Sequence, residues 1–352
     1  MIIDDEPEKI PVRQSQFRLN GTVVLSAIIS GFITLSLLIF WFVRGYTISI
    51  LKQEIVKFEK SITETGYDFS YENLNFNRFS PFNILTINGL KIYSLDGKNY
   101  YEWHIPELKI GSSLFSSQNL KLSFSPEQSF QKGLNIYHLS TPNLTTKLQF
   151  NDNGLKELNM TAKNFQITDV LSAEYFNVSV QKTDSEDGLK FNPFFESTIN
   201  IKNIHIDSSV DQPLDKDIFR IYIHANVAGK IQTAETYRES IDEWLHSGGM
   251  IDIKRLIVNW NPLLMVARGD MYFNEKLEPN LHLMTSSKAF IETLDLLEKD
   301  NLLDRKGTFV VKILLNNKAF KLRKDDRYNT ITTPINFNSG EVLIENIPVK
   351  KL

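Results

Sequence analysis

Side chains with catalytic or metal-binding chemistry are dispersed along this 352-residue chain. No two of its six histidines have the spacing of a metal-binding pair: His104, His138, His205, His224, His246 and His282. His205 precedes Asp207, which could orient its ring, and His224 follows Tyr222 on the polar side of an alternating stretch. His246 falls in the last turn of a predicted helix, where a cation suits the helix dipole. This dispersion argues against a histidine-based site.

Four carboxylates cluster in one short predicted helix: Glu235, Glu239, Asp242 and Glu243. Paired carboxylates can perform acid–base catalysis, but acids on a solvated helix face are far commoner. Trp103 and Trp260 fall on predicted strands, where a tryptophan anchors a core more often than it stacks on a ligand. The chain has no nucleophile elbow, phosphate-binding loop, dinucleotide fingerprint or zinc-protease motif. We therefore predict no catalytic, cofactor-binding or metal-binding residues and no enzyme activity.

Cysteine is absent from the chain, which excludes disulfides, thiolate zinc sites and a cysteine nucleophile. This composition fits a bacterial envelope protein that avoids oxidative mispairing. The formal net charge is -3, with 39 basic and 42 acidic side chains, so there is no excess of positive charge for nucleic acid. We predict no nucleic-acid partner and no bound cofactor.

One apolar stretch, Val23–Val43, contains neither a charged residue nor a proline. As a helix it is about 31 Å long, close to the thickness of a bilayer's hydrocarbon core. Bulky residues such as Trp41 and Phe42 stand where a signal peptide would have its cleavage site, which favours an uncleaved anchor. Basic residues flank it in similar numbers, so we take the common arrangement for a single anchor. We predict a cytoplasmic tail (1–20), a transmembrane helix (21–45) in the inner membrane and a periplasmic body.

Residues 46–66 continue the helical pattern as a juxtamembrane helix that ends at Gly66. Apolar residues recur every three or four positions along it: Ile48, Leu51, Ile55, Phe58 and Ile62. This seam is typical either of a short dimerising coiled coil or of a helix that packs on the protein's own sheet. Small residues in the anchor, at Ser26, Ser30 and Thr34, would also allow two anchors to pair.

From residue 67 to 230 apolar and polar residues alternate, which predicts strands with one apolar and one solvated face. The alternation is clearest in five stretches: Tyr101–Ile105, Leu120–Phe124, Leu144–Phe150, Phe176–Val180 and Phe219–Val227. Turn sequences rich in Asp, Asn and Gly separate the strands at 95–98, 151–154 and 185–188. We predict an antiparallel meander of roughly ten strands, which must curl or fold on itself to bury its apolar face.

Residues 231–352 form an α+β part that continues the same sheet in our interpretation. Two helices are predicted, one with Tyr237, Ile241 and Leu245 on its apolar face, the other over Lys288–Leu303 with Ser286 or Ser287 as its cap. The predicted strands are Ile251–Trp260, Leu263–Phe273, Leu281–Thr285, Phe309–Leu315 and Val342–Ile347. The charged segment Lys318–Arg327 carries both signs, which favours a solvated hairpin tip over a lipid-binding site. The fold class is α+β, mostly β.

This arrangement resembles a bacterial family, domain-of-unknown-function family 2125. The residues that carry the resemblance are Thr65-Gly66-Tyr67, Phe79-Ser80-Pro81-Phe82, Asn259-Trp260-Asn261-Pro262, Gly269 within its strand, Ser286-Ser287 and Gly340-Glu341-Val342-Leu343-Ile344 leading to Ile347-Pro348. More loosely, the chain resembles AsmA-like envelope proteins, which have an inner-membrane anchor and curled periplasmic sheets. The resemblance implies a periplasmic location and lipid handling, and it supplies no catalytic residue.

Our leading hypothesis is a non-enzymatic envelope protein whose curled sheet binds or shields a lipid or other amphipathic molecule. Many half-apolar strands are predicted but few helices, so another sheet, a partner or a lipid must cover the apolar face. The alternative is an envelope scaffold that binds a second copy or another envelope protein through its sheet edge or paired anchors. The implied partners are the lipid bilayer, a lipid ligand and, in the alternative, a protein.

Overall fold

A computed structural model describes Thr63 and residues 67–77, 83–94, 100–113, 116–151, 154–183, 193–207, 213–229, 237–246, 248–274, 278–322, 330–338 and 340–351. The predicted tail, the transmembrane segment Val23–Val43 and, apart from Thr63, the juxtamembrane helix lie outside these ranges, as do the predicted turns at 95–98 and 185–188. Among the described residues, no helix has the length and apolar character needed to span a membrane.

Strands dominate the described residues. The first nine are β1 (Tyr67–Ser70), β2 (Asn73–Phe76), β3 (Asn83–Ser94), β4 (Tyr101–Ser113), β5 (Ser116–Phe124), β6 (Glu127–Lys132), β7 (Asn135–Ser140), β8 (Thr145–Asn151) and β9 (Gly154–Ile167). The next nine are β10 (Leu171–Lys182), β11 (Pro193–Ile206), β12 (Asp217–Ala228), β13 (Met250–Trp260), β14 (Leu263–Phe273), β15 (Pro279–Lys288), β16 (Ile331–Asn338), β17 (Glu341–Ile344) and β18 (Ile347–Lys351). Three helices accompany them in this part of the chain: α1 (Tyr237–His246), α2 (Phe290–Lys299) and α3 (Arg305–Leu322).

The described strands form one antiparallel sheet. From β9 to β18 each strand pairs with the next one along the chain. The sheet continues past α1, because β12 before this helix pairs with β13 after it. The predicted mostly-β antiparallel fold is confirmed, as is the turn at 151–154, where Asn151 opposes Gly154.

The N-terminal part of the sheet branches once and rejoins. β3 pairs with β1, β2 and β4, and β4 then pairs with two strands, with β5 along residues 108–113 and with β6 along residues 101–104. The two branches end on β9, which pairs with β8 near its start and with β7 near its end. Sequential pairing alone did not predict this branch, because each strand alternates in the same way.

The C-terminal predictions were partly wrong. Phe309–Leu315 is not a strand but lies within α3, so the described residues contain a third helix where two were predicted. The segment is rich in β-branched residues, yet Thr308, Val311 and Leu315 are fully buried at helical spacing. Gly307 lets the start of this helix approach β18, since a Cβ there would lie 2.1 Å from the carbonyl oxygen of Pro348. Tertiary packing therefore overrides the local strand preference.

Other corrections concern the neighbouring segments. The predicted strand Val342–Ile347 is two strands, β17 and β18, joined by Glu345 and Asn346 at φ 54 and 62. The first half of the predicted loop Lys318–Arg327 is helical through Leu322, and residues 323–329 lie outside the described ranges. Ser286 and Ser287 lie in β15 and do not cap α2. The residue that precedes α2 is Ala289, which has a left-handed backbone conformation and provides no side-chain cap.

The largest buried cluster lies where α2 and α3 pack on the last strands. Its members are Phe290, Leu294, Val311, Leu315, Ile331, Ile344 and Val349, each at most 7% exposed. Lys312 of α3 reaches Asp295 of α2 at 2.5 Å and also bonds Glu298. The buried cluster and these ion pairs hold α2 and α3 together on the C-terminal strands.

Candidate functional site

The register of the sheet places mainly apolar side chains, interrupted by three buried threonines, in a continuous row from strand to strand. The central row consists of residues that directly oppose one another in successive pairs: Phe76, Leu85, Ile110, Leu122, Thr146, Met160, Val178, Ile199, Ile223, Leu256, Ala267, Thr285 and Thr333. At about 4.8 Å between neighbouring strands, this row is about 58 Å long. That is about twice the thickness of a bilayer's hydrocarbon core.

A second row runs beside the central row, two residues along each strand. It includes Leu120, Leu148, Leu158 and Val180, which oppose one another across β5, β8, β9 and β10. Because side chains two residues apart share a face of a strand, the two rows lie on the same side of the sheet. We call this side the apolar face.

Asparagines in left-handed conformation extend the apolar face past a break in the alternation. Asn164 in β9 and Asn203 in β11 have φ 52 and 50. Ile201 and Ile204, on either side of Asn203, nevertheless pack in the same cluster. Strict alternation would put residues three apart on opposite faces. Asparagine is one of the few residues that tolerate this conformation, and an Asn inside an apolar strand was the overlooked sequence signal.

Burial along the central row is uneven. Leu85, Thr285 and Thr333 are fully buried near its ends. Met160, Val178 and Ile199, in the middle, are only half-buried and belong to none of the buried clusters found among the described residues. α2 and α3 contact β14, β16 and β18. α1 contacts the end of β14 through Trp244, whose ring centroid lies 6.3 Å from that of Phe273. The described helices therefore leave the middle half-exposed.

The opposite side, the polar face, carries hydrogen-bonded pairs between neighbouring strands. Asn177 donates to Asn159 at 3.1 Å, and Arg220 donates to Asn200 at 3.2 Å. His224 lies on this face, as predicted, and its Nε2 is 2.8 Å from Glu196 of β11. These contacts join polar groups of neighbouring strands, although Leu264, Val266 and Met284 are exposed on the same face in β14 and β15.

The other histidine singled out from the sequence has a different partner from the predicted one. His205 contacts Asp217 on the adjacent strand, with 2.7 Å between Nδ1 and Oδ1, rather than Asp207. Both side chains are more than half exposed, at 57% and 60%. Cross-strand register, which the sequence does not display, selects this partner. The pair lies on the surface and lacks the enclosure that tunes acid–base groups.

His246 and three of the four carboxylates singled out from the sequence lie in α1. His246 lies in the last turn of α1, as predicted, with Nδ1 2.7 Å from the carbonyl oxygen of Asp242. Glu239, Asp242 and Glu243 belong to the same helix, and Glu235 lies outside the described residues.

Both tryptophans singled out from the sequence pack against the protein's own core. Trp103 stacks on Phe124 with ring centroids 6.1 Å apart and donates to Gln128 at 3.0 Å. Trp260 packs beside the buried Ala173, Ile204 and Ile218, and its indole N–H donates to the carbonyl of Asp215. These contacts agree with the predicted role as core anchors.

Two carboxylates with displaced pKa values owe the displacement to structural hydrogen bonds. The Tyr100 hydroxyl donates to Glu102 and lowers the pKa of that carboxyl. The Asn261 amide donates to Asp215 at 3.1 Å and lowers its pKa in the same way. Both carboxylates are held ionised, which suits a structural role better than proton transfer at neutral pH.

Two cavities are lined mainly by polar-face residues. The first, of about 690 Å³, contains Lys109, Lys121 and Lys147. The second, of about 860 Å³, contains Asp252, Asp270 and His282 on three successive strands. In the second, Lys254 bonds Asp252, and His282 Nδ1 is 3.6 Å from Asp270. Throughout the described ranges no group of three metal-binding side chains is close enough to hold an ion.

The fold and its surfaces define a class of protein: a large antiparallel sheet with one continuous apolar face and one hydrogen-bonded polar face. Residues 86–352 match the family described as "Uncharacterized protein conserved in bacteria (DUF2125)", and the chain belongs to this family. This confirms the resemblance to domain-of-unknown-function family 2125 inferred from the sequence. No curated protein and no solved structure matches the chain.

Proposed function

We propose that this protein is a non-enzymatic envelope protein, anchored in the bacterial inner membrane, whose apolar sheet face binds or shields an acyl chain or another amphipathic molecule. The observation that carries the proposal is the half-exposed middle of the central row. A row of mainly aliphatic side chains that reaches from strand to strand, and whose middle is not covered by any of the described helices, is a surface that a chain-like apolar ligand fits.

The energetics favour a ligand with a long apolar part. Met160, Val178 and Ile199 retain exposed area that a ligand could remove from water, at about 25 cal/mol per Å². Each such side chain offers on the order of 1 kcal/mol, so a ligand must contact several of them to bind firmly. An acyl chain laid along the row would meet one aliphatic side chain about every 4.8 Å.

The location in this proposal rests on the sequence. The apolar stretch Val23–Val43 serves as the anchor, and the body that follows it lies in the periplasm. The kinship with AsmA-like envelope proteins is part of the same proposal.

The test uses the full-length chain in living cells. A photoreactive benzophenone amino acid is placed at Ile199, on the apolar face of β11, or at its neighbour Asn200, on the polar face. After irradiation, the purified protein is analysed by intact mass spectrometry. We expect lipid adducts at position 199 and few at position 200, because only the first side chain faces the proposed ligand.

The paired positions also discriminate between hypotheses. Equal labelling at both positions, or no lipid adduct at either, would refute a lipid-binding apolar face. A protein adduct at position 199 would instead favour the scaffold hypothesis, in which a partner protein covers this face. The chain's own fold is checked by its resistance to proteolysis in each variant.

A further inference from the structure

Three lysines from three adjacent strands surround the first cavity on the polar face. Lys109 belongs to β4, Lys121 to β5 and Lys147 to β8. Lys121 and Lys147 directly oppose each other in the β5–β8 pair. The Cβ atoms of opposed residues in antiparallel strands are about 4.5–5.5 Å apart, so two ammonium groups are held on neighbouring stems. All three lysines line the same cavity of about 690 Å³.

The charges of this cavity are poorly balanced. Like charges directly opposite each other destabilise a strand pair, and neither Lys121 nor Lys147 has an ion-pair partner in the described part of the chain. Lys109 is 2.8 Å from Glu107, and Glu157 is the one carboxylate among the lining residues. Since Glu107 balances Lys109, the two remaining lysines against one glutamate leave a charge of +1, on a chain whose net charge is -3.

The cavity also has room and hydrogen-bonding groups for a ligand. Gly111 opposes Lys121 in the β4–β5 pair, and a Cβ at this position would meet only the Lys121 carbonyl oxygen, at 3.8 Å. Ser123, Asn119 and Gln149 contribute polar side chains to the lining. The absence of a side chain at Gly111, beside two opposed lysines, leaves room for a compact oxyanion.

We propose that this cavity binds a phosphate group, carried either by a lipid headgroup or by a free phosphate ion. Lysine is a common phosphate ligand that acts as a point charge, and an anion between Lys121 and Lys147 would remove their mutual repulsion. The three lysines lie on the polar face, and no residue of the central row lines the cavity, although Leu120 and Leu148 of the second row do. The phosphate test depends on the lysine side chains and the lipid test on Ile199, so the failure of one is distinguishable from the failure of the other.

The experiment measures thermal unfolding of the full-length chain in a nonionic detergent. Sodium phosphate is compared with sodium chloride at equal ionic strength, so that general screening is matched. At phosphate concentrations about a hundred times the Kd, mass action should raise the Tm by about 5 °C. Lys121→Gln and Lys147→Gln should each lose this phosphate-specific shift, whereas Lys147→Arg, which keeps the charge, should retain most of it.

A matched control removes a lysine elsewhere on the same face. Lys163 is exposed on β9 and does not line the cavity, so Lys163→Gln should keep the full phosphate shift. In low salt without phosphate, Lys121→Gln and Lys147→Gln should unfold at the native temperature or above it, because the opposed charges are gone. This separates lost binding from impaired folding.

A second titration identifies the source of the phosphate group. A water-soluble short-chain phosphatidic acid that binds about tenfold more tightly than inorganic phosphate would assign the site to a lipid headgroup, and equal affinity would assign it to free phosphate. The proposal is overturned if the native chain shows no phosphate-specific shift. It is also overturned if the shift persists in both Lys121→Gln and Lys147→Gln. Loss of lipid adducts at Ile199 would leave these results unchanged.

Discussion

The middle and the C-terminal end of the apolar face share the alternating pattern of strand residues but differ in cover, and their central-row residues are aliphatic in the middle and threonines at the end. At the C-terminal end, Thr285 and Thr333 of the central row are fully buried, next to the cluster formed with α2 and α3. In the middle, Val178 and Ile199 are half-buried. The difference shows that cover, rather than sequence pattern, decides which part of the face forms a core.

Stability should therefore be concentrated in the buried clusters at the two ends of the row, one around Leu85 and one where α2 and α3 pack. A buried side chain stabilises the fold through its transfer from water and through its packing contacts. A half-buried side chain contributes only part of the transfer free energy. The middle of the face is left with apolar area that a ligand can cover. Stability and the proposed binding function would thus occupy different segments of one continuous row.

The same substitution made in each segment gives the largest expected difference. Leu315→Ala, at 0% exposure in α3, should lower the free energy of unfolding by about 2–5 kcal/mol. Leu158→Ala, half-buried in the second row on β9, should lower it by only about 1 kcal/mol. Urea unfolding of the full-length chain in nonionic detergent measures both values. Equal losses would mean that the middle is as well covered as the end.

The ion pairs between α2 and α3 provide a smaller effect with a defined pH dependence. Burial of Lys312 disfavours its charge, but the hydrogen bonds that it donates to Asp295 and Glu298 outweigh burial and raise its pKa above the ordinary 10.5. A raised pKa in the folded state means that the stabilisation is complete below pH 10.5 and is lost as pH rises through the folded-state value. At neutral pH, Lys312→Met should lower the free energy of unfolding by about 1–3 kcal/mol.

The pH series supplies its own control. Above the folded-state pKa of Lys312, the native chain loses the ion pairs that the variant already lacks, so the difference between the two should shrink. Thermal unfolding at pH 7 and at pH values above 10.5 would detect this convergence. A difference that stays constant with pH would show that the loss arises from packing of the lysine stem instead.

The sequence predicted the positions of the strands better than their pairing partners and the burial of their side chains. The alternation in Ile251–Trp260 and Leu263–Phe273 located β13 and β14 within one residue at each end. The direction of the alternation also placed Val178 and His224 on opposite faces, as the register shows. Period-2 patterns report which residues share a face, because the pleat itself has that period.

The sequence could not show which strands pair or which elements cover each part of the sheet. His205 was expected to meet Asp207 two residues away, but register brought Asp217 of the next strand to it. The sequence did not predict that lysines line the first cavity. Lys121 and Lys147 are far apart in sequence and meet only through the non-sequential β5–β8 pair. Phe309–Leu315 was expected to be a strand because apolar residues around the whole circumference of α3 conceal the helical period.

The apolar segment of α3 permits the test with the smallest expected effect. One side of this helix is buried and the other is exposed, so both environments occur within one element. Phe309 lies on the outer side of α3 and is 63% exposed, whereas Leu315 on the inner side is fully buried. Phe309→Ser should change the free energy of unfolding by less than about 0.5 kcal/mol, since a surface substitution removes little buried area. The measurement is urea unfolding of the full-length chain, in parallel with Leu315→Ala. A loss above about 2 kcal/mol would instead mean that another surface covers Phe309 in the intact protein, because only buried aromatic side chains cost that much to remove. The contrast between covered and uncovered parts of the molecule would then have to be redrawn at this helix.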